Sequence, residues 1–111
     1  MDTINWNDFE KIDIRVGTVT AAREFPKAKK PAYQLTIDFG PLGTKQSSAQ
    51  ITKFYSPGSL EGMQVIAVVN FPPKNIAGFL SECLVLGIYD ENNDVVLLQP
   101  GQAVSNGLKI G

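Results

Sequence analysis

The sequence predicts an all-β chain folded into a small, closed or partly closed barrel. Tyr33, Leu35, Ile37 and Phe39 alternate with Gln34, Thr36 and Asp38, the period of a strand with one buried face. Four or more further runs of strand character are separated by bends marked with glycine or proline. Helical spacing is confined to short stretches, and many short strands with little helix suggest closure of the sheet on itself.

Taken in order, Asn5–Lys11 is expected to form a helical turn. Asn5 or Asn7 can cap it, and Trp6 and Phe9 fall on one face. Ile12, Ile14 and Val16 alternate with Asp13 and Arg15 in a strand that runs on to Val19, and Gly17 within it suggests a bulge or a tight barrel bend. Residues 24–32 form a loop framed by Pro26 and Pro31. Gly40-Pro41-Leu42-Gly43 turns the 33–39 strand back into a strand at 45–51. The strand at 64–70 is apolar on both faces, so a partner subunit or a packed helix should cover its outer side. After Pro72-Pro73 a short turn or helix is expected around Lys74–Phe79. Strands at 82–89 and 95–98 flank the exposed turn Asp90–Asp94.

Composition limits the chemistry. At 111 residues the chain is the size of one domain. Its longest apolar run, Val65–Val69, is far short of the roughly 18 residues that suggest a membrane span. Met1–Asn5 resembles no signal peptide, so the expected location is cytoplasmic. The single cysteine, Cys83, excludes an internal disulfide and a thiolate zinc cluster, and it is expected at a buried strand position. There is no histidine, which removes the usual general base and the commonest transition-metal ligand. No two acids stand out as a pair. No catalytic residue, metal or cofactor is therefore expected. Net charge is −1, but residues 11–74 carry nine bases against four acids, a net of +5 between two acidic ends. This permits a basic face on an acidic body, unless folding intermixes the charges.

Several polar groups sit beside strand-like runs. In the 45–51 strand, alternation turns Ser47, Ala49 and Ile51 towards the core and leaves Ser48 and Gln50 pointing outward. Those two are hydrogen-bonders for a ligand or the dressing of a solvated face. Asn70 binds a ligand or caps the turn that follows it. Lys74 offers an ammonium to a phosphate, and Ser81 and Glu82 open the next strand, where local turn bonding is the alternative role. Lys27, Lys29 and Lys30 lie near Phe25 and Tyr33, a mixture of base and aromatic that suits looped RNA and equally suits a solubilising loop.

Together the pieces are more specific. Asp13-Ile14-Arg15-Val16-Gly17-Thr18-Val19, the Ser-Ser-Ala-Gln-Ile run at 47–51 and the series Asn70, Lys74, Ser81-Glu82 resemble the tRNA-binding OB-fold domain. That domain is appended to bacterial methionyl-tRNA synthetase and occurs in free-standing, structure-specific tRNA binders. Phe25–Tyr33, Ile37–Gly40 and Asn70–Lys74 look like the variant found in the CsaA group of export-related chaperones, and the resemblance covers residues 8–110. It implies that residues 1–111 form one five-stranded OB-fold barrel with short helical elements and terminal extensions that pair two subunits in a homodimer. By motif position, tRNA-contacting groups would fall on Lys45, Ser48, Gln50, Asn70, Lys74, Ser81 and Glu82. Arg15 and the lysines at 27, 29 and 30 would add charge.

Peptide binding in the CsaA group implies an apolar pocket with a basic rim near the dimer interface, with Phe39, Phe54, Phe71 and Ile76 as its candidates. The function so implied is a chaperone that binds unfolded or exported polypeptides without nucleotide. The alternative partner is tRNA, read by the same barrel face; a third role is a structural subunit docked on a larger enzyme. One departure counts against tRNA: the stronger binders of the family are plainly basic, whereas this chain has a pI near 5.3. Phosphate contacts dominate nucleic-acid affinity, so binding would be weak unless the bases converge.

Overall fold

The computed structural model describes residues 1–111. Its elements are α1 (Trp6–Glu10), β1 (Ile14–Glu24), β2 (Tyr33–Asp38), a 3-10 turn (Gly40–Leu42), β3 (Thr44–Ala49), α2 (Pro57–Leu60), β4 (Gln64–Val68), β5 (Lys74–Ile76), β6 (Phe79–Ser81), β7 (Leu84–Val85), β8 (Gly87–Tyr89) and β9 (Val95–Leu97). Five of the strands make one antiparallel sheet in the order β3-β2-β1-β4-β7. It is the nearly closed barrel expected of an OB-fold.

β1 is the spine. Its first half, Ile14–Thr18, pairs with β4, and its second half, Thr18–Glu24, pairs with β2. The strand therefore runs five residues past Val19, where the sequence pattern placed its end. A register shift between Val19 and Ala21 puts the bulge there and not at Gly17. Gly17 keeps its pairing with Val65 and serves a close approach instead. A Cβ at that position would lie 2.7 Å from Ile37 Cγ2 and 2.8 Å from the Phe39 ring, closer than carbon atoms pack.

The alternation in β2 holds: Tyr33, Leu35 and Ile37 are buried, as is Phe39 just beyond the strand, and the residues between them are half-buried. These side chains meet Val19, Val65, Ala67 and Leu60 in the core. Leu60 comes from α2, whose first turn is held by Ser56 and Ser59. The Ser56 N–H donates to Ser59 Oγ at 3.0 Å, and the Ser59 N–H to Ser56 Oγ at 3.3 Å. In β4, Val68 is buried along with Val65 and Ala67 while Ile66 is half-buried, so the chain itself covers much of both faces.

Where β2 has ended, the C-terminal segment takes its place beside β1. The Gly107 N–H donates to the Val16 carbonyl at 2.7 Å, Val16 N–H to Leu108 at 3.1 Å, and Ile110 N–H to Ile14 at 2.9 Å. The expected turn or helix at Lys74–Phe79 is a two-residue hairpin, β5–β6. Ala77 and Gly78 both have positive φ, 49° and 85°, the handedness that matches the twist of the flanking strands. The expected strand at 82–89 breaks into β7 and β8, and Asp90 closes the β8–β9 hairpin by accepting the N–H groups of Asn92 and Asp94. No helix is long and apolar enough to cross a membrane.

Candidate functional site

The barrel seam lies between β3 and residues 80–83, and side chains make much of it. Glu82 N–H donates to the Gln46 carbonyl at 2.8 Å, and Gln46 N–H donates back to Glu82 Oε1 at 3.0 Å. Ser48 N–H donates to Ser81 Oγ at 3.0 Å. Ser47 Oγ, which is 1% exposed, donates to the Cys83 carbonyl at 2.9 Å, and Gln46 Nε2 donates to the Leu80 carbonyl. A seam of two regular strands would need only backbone groups. Here β3 meets a kinked segment, and hydroxyl and carboxylate oxygens reach the amides that the kink leaves unpaired.

This seam sorts the residues picked out by their resemblance to tRNA-contacting positions. Ser81 and Glu82 are tied to β3 at long sequence separation and not by local turn bonding. Lys74 stands opposite Ser81 in the β5–β6 register, which brings it beside Ser48; Lys45, paired with the buried Ile37, lies on the core-facing side of β3 at its half-buried end. Lys45, Ser48, Gln50 and Lys74 have side chains with no hydrogen-bond or ion-pair partner in the chain, and the Gln50 and Lys74 side chains are exposed. The outward face of β3 therefore presents the Ser48 hydroxyl and the Gln50 amide with Lys74 beside them, while the half-buried Lys45 projects from the opposite side of the strand.

Arg15 and Asn70 belong to a different cluster. Arg15 Nε donates to Asp13 Oδ1 at 2.6 Å, and its Nη1 donates to the Gly107 carbonyl at 3.1 Å, so the guanidinium holds the C-terminal segment on β1. Asn70 Oδ1 accepts from the Asp13 N–H at 3.0 Å, and its Nδ2 donates to the Lys11 carbonyl at 2.7 Å. It clasps the link between α1 and β1, not the turn that follows it.

The four residues proposed for an apolar pocket differ in their exposure. Phe39 is 0% exposed and packs in the core, beneath the glycine at position 17, so it lines no accessible surface. Phe54 and Phe71 are exposed on separate connections, and Ile76 is half-buried in β5. Two recesses flank Phe25-Pro26 in the β1–β2 loop, with volumes of about 520 and 500 Å³, and none of the four lines either. The loop lysines, Lys27, Lys29 and Lys30, are exposed around them. The second recess had no clear signal in the sequence, because its wall is the β5–β6 hairpin, whose Ala77-Gly78 turn lacks the usual asparagine or glycine at its first position. Cys83 is buried as expected, though at the bend between β6 and β7 and not within a strand; desolvation pushes its thiol up to about 11, against the pull of nearby Lys45 and the Ser47 hydroxyl.

Residues 14–109 match the family model described as a putative tRNA binding domain. The structure is similar to that of the chaperone CsaA from Bacillus anthracis, at 59% identity and a TM-score of 0.95 over 99% of this chain and 100% of that one. CsaA from Picrophilus torridus matches at 51% identity and a TM-score of 0.92, over 98% of this chain and all of the other. Among curated proteins, the methionine–tRNA ligase of Bacteroides fragilis is 36% identical over 107 residues, 96% of this chain. The chain spans only 16% of that ligase's length. With residues 14–109 matched by that model and the nearly closed barrel shared with the CsaA structures, the chain belongs to the tRNA-binding-domain family.

Proposed function

We propose that this protein is a homodimeric, CsaA-like chaperone of the cytoplasm. It binds unfolded or exported polypeptides transiently, with residues 1–111 acting as one unit and with no nucleotide or catalytic cycle. The observation that carries this reading is the coexistence of unpaired polar groups on the seam face with large apolar side chains left in water. Trp6 and Ile12 around α1, and Ile88, Tyr89 and Val96 on the β8–β9 hairpin, are all exposed. Clusters of this kind mark association surfaces, and two subunits related by a two-fold axis would cover them. The seam face of each subunit then stays open. Its free polar groups suit the backbone of an extended chain, and Lys74 favours an acidic flank.

The second reading is structure-specific tRNA binding by the same face. It is favoured by the unpaired Lys74 beside Ser48 and opposed by the acidic balance of the chain. Titration of the purified protein with bulk tRNA and with a denatured model protein, each at two salt concentrations, separates them. A chaperone binds the denatured protein with weak salt dependence. A tRNA binder shows log affinity falling linearly with log salt, and Lys74→Ala flattens the slope by about one unit. Binding of neither partner at micromolar protein would leave a docking subunit of a larger enzyme as the remaining role. The dimer is checked by sedimentation, where Trp6→Ala combined with Ile88→Asp is expected to give monomers.

A further inference from the structure

We propose that the two recesses flanking Phe25-Pro26 are the seat of an acidic polypeptide segment carrying apolar side chains. This rests on the polypeptide-binding reading above: the seam face meets the backbone of an extended chain, and the recesses add where its side chains sit and what they are. The first recess lies between Pro26, Lys29 and Pro31, over Phe25 and Tyr33. The second lies between Pro26 with Lys27 and the hairpin tip Ala77-Gly78-Phe79. Phe25 and Phe79 meet edge to face with ring centroids 5.4 Å apart, so the hairpin is docked on the loop and the second recess has a fixed wall. Tyr33 is held from below by its hydroxyl, which donates to the Tyr55 carbonyl at 2.7 Å. Because both recesses share the exposed Pro26 above the buried Phe25, a segment crossing Pro26 in extended form places one side chain in each.

Charge and shape decide the occupant. Lys27 borders one recess and Lys29 the other, Lys30 follows, and Glu24 is the only acid on either lining. The one ion pair in the chain is Asp13–Arg15, so all three ammonium groups are unpaired on a protein whose net charge is −1. They complement carboxylates. A single-stranded nucleic acid would also bring negative charge, but its bases stack on open aromatic faces. Phe25 and Tyr33 are only 5% and 6% exposed and lie at the bottom of the recesses. Concave sites walled by prolines admit aliphatic side chains and give bases no platform.

The test uses the full chain and a fluorescently labelled peptide of alternating leucine and glutamate, with the leucine–lysine counterpart as control. The wild type is expected to bind the first and not the second. Charge reversal at three exposed positions (Lys27→Glu, Lys29→Glu, Lys30→Glu) is expected to weaken binding by about tenfold or more. Ala28→Trp, which fills the first recess, is expected to do the same without changing the response to salt. Unchanged affinity in the charge-reversed protein, with denatured-protein binding intact, overturns this seat and leaves the chaperone reading standing. Failure of the wild type to bind either the peptide or the denatured protein overturns both. Binding of a single-stranded RNA oligomer in place of the peptide, lost in the same variants, overturns the assignment in favour of nucleic acid.

Discussion

Ser47→Ala is the most direct test of how the barrel closes. Ser47 is the only polar residue among those buried, and its hydroxyl donates to the Cys83 carbonyl across the seam at 2.9 Å. Removing one oxygen leaves almost no cavity, so the cost is that of a lost hydrogen bond and a buried carbonyl without a partner, about 1–3 kcal/mol. Total stability for a domain of this size is about 5–15 kcal/mol. For a chain of 111 residues each kcal/mol moves Tm by about 4–5 °C, so a fall of about 4–15 °C is expected. Far-UV circular dichroism is the suitable probe in urea or heat, because Trp6, 68% exposed on α1, reports on the helix and not on the core. Ser48→Ala is the internal control. Its hydroxyl has no partner within the chain, so the neighbouring substitution should stay within about 0.5 kcal/mol of wild type. If the two alanine variants were equally stable, the seam bond would contribute nothing and this account of closure would fail.

Gly17→Ala should cost about 1–3 kcal/mol or more, because its methyl would press into Ile37 and Phe39 at 2.7–2.8 Å; an unchanged urea midpoint would show that the barrel wall can yield there. Cys83 predicts a pH dependence in the alkaline range: its thiol ionises at 9.0 in the unfolded chain and at about 11 in the native one, so the unfolded state gives up its proton first. Its contribution is complete below about pH 9 and is lost as pH rises towards 11, a fall of about 2–3 kcal/mol that Cys83→Ala should lack when unfolding is followed against pH.

The strands that one period defines were legible in the sequence. β2 and the core face of β3 follow from alternation, and Ser47, Ala49 and Ile51 are buried as alternation requires. What was not legible involves partners far apart in the chain. The extension of β1 to Glu24 depends on pairing with β2, because Ala21, Ala22 and Arg23 carry little strand signal of their own. The β5–β6 hairpin was hidden because Ala77 adopts a positive φ that glycine or asparagine would adopt at less cost. Gly17 showed that something was tight in β1 but not whether the chain bulged or a neighbour came close.

The same limit applies to the candidate site. A serine or glutamate beside a strand has the same appearance in sequence whether it awaits a ligand or completes the fold. Ser81 and Glu82 reach amides 33 and 36 positions away, and Arg15 reaches a carbonyl 92 positions away. Alanine substitutions at Ser81, Glu82, Asn70 or Arg15 would therefore lower binding of any partner through loss of fold, and would not identify the partner. Lys45, Ser48, Gln50 and Lys74 carry no such structural duty. At those four positions a change in affinity without a change in stability reports on the ligand alone, and they are the places where peptide and tRNA readings make separable demands: hydroxyl and amide for a backbone, ammonium for a phosphate.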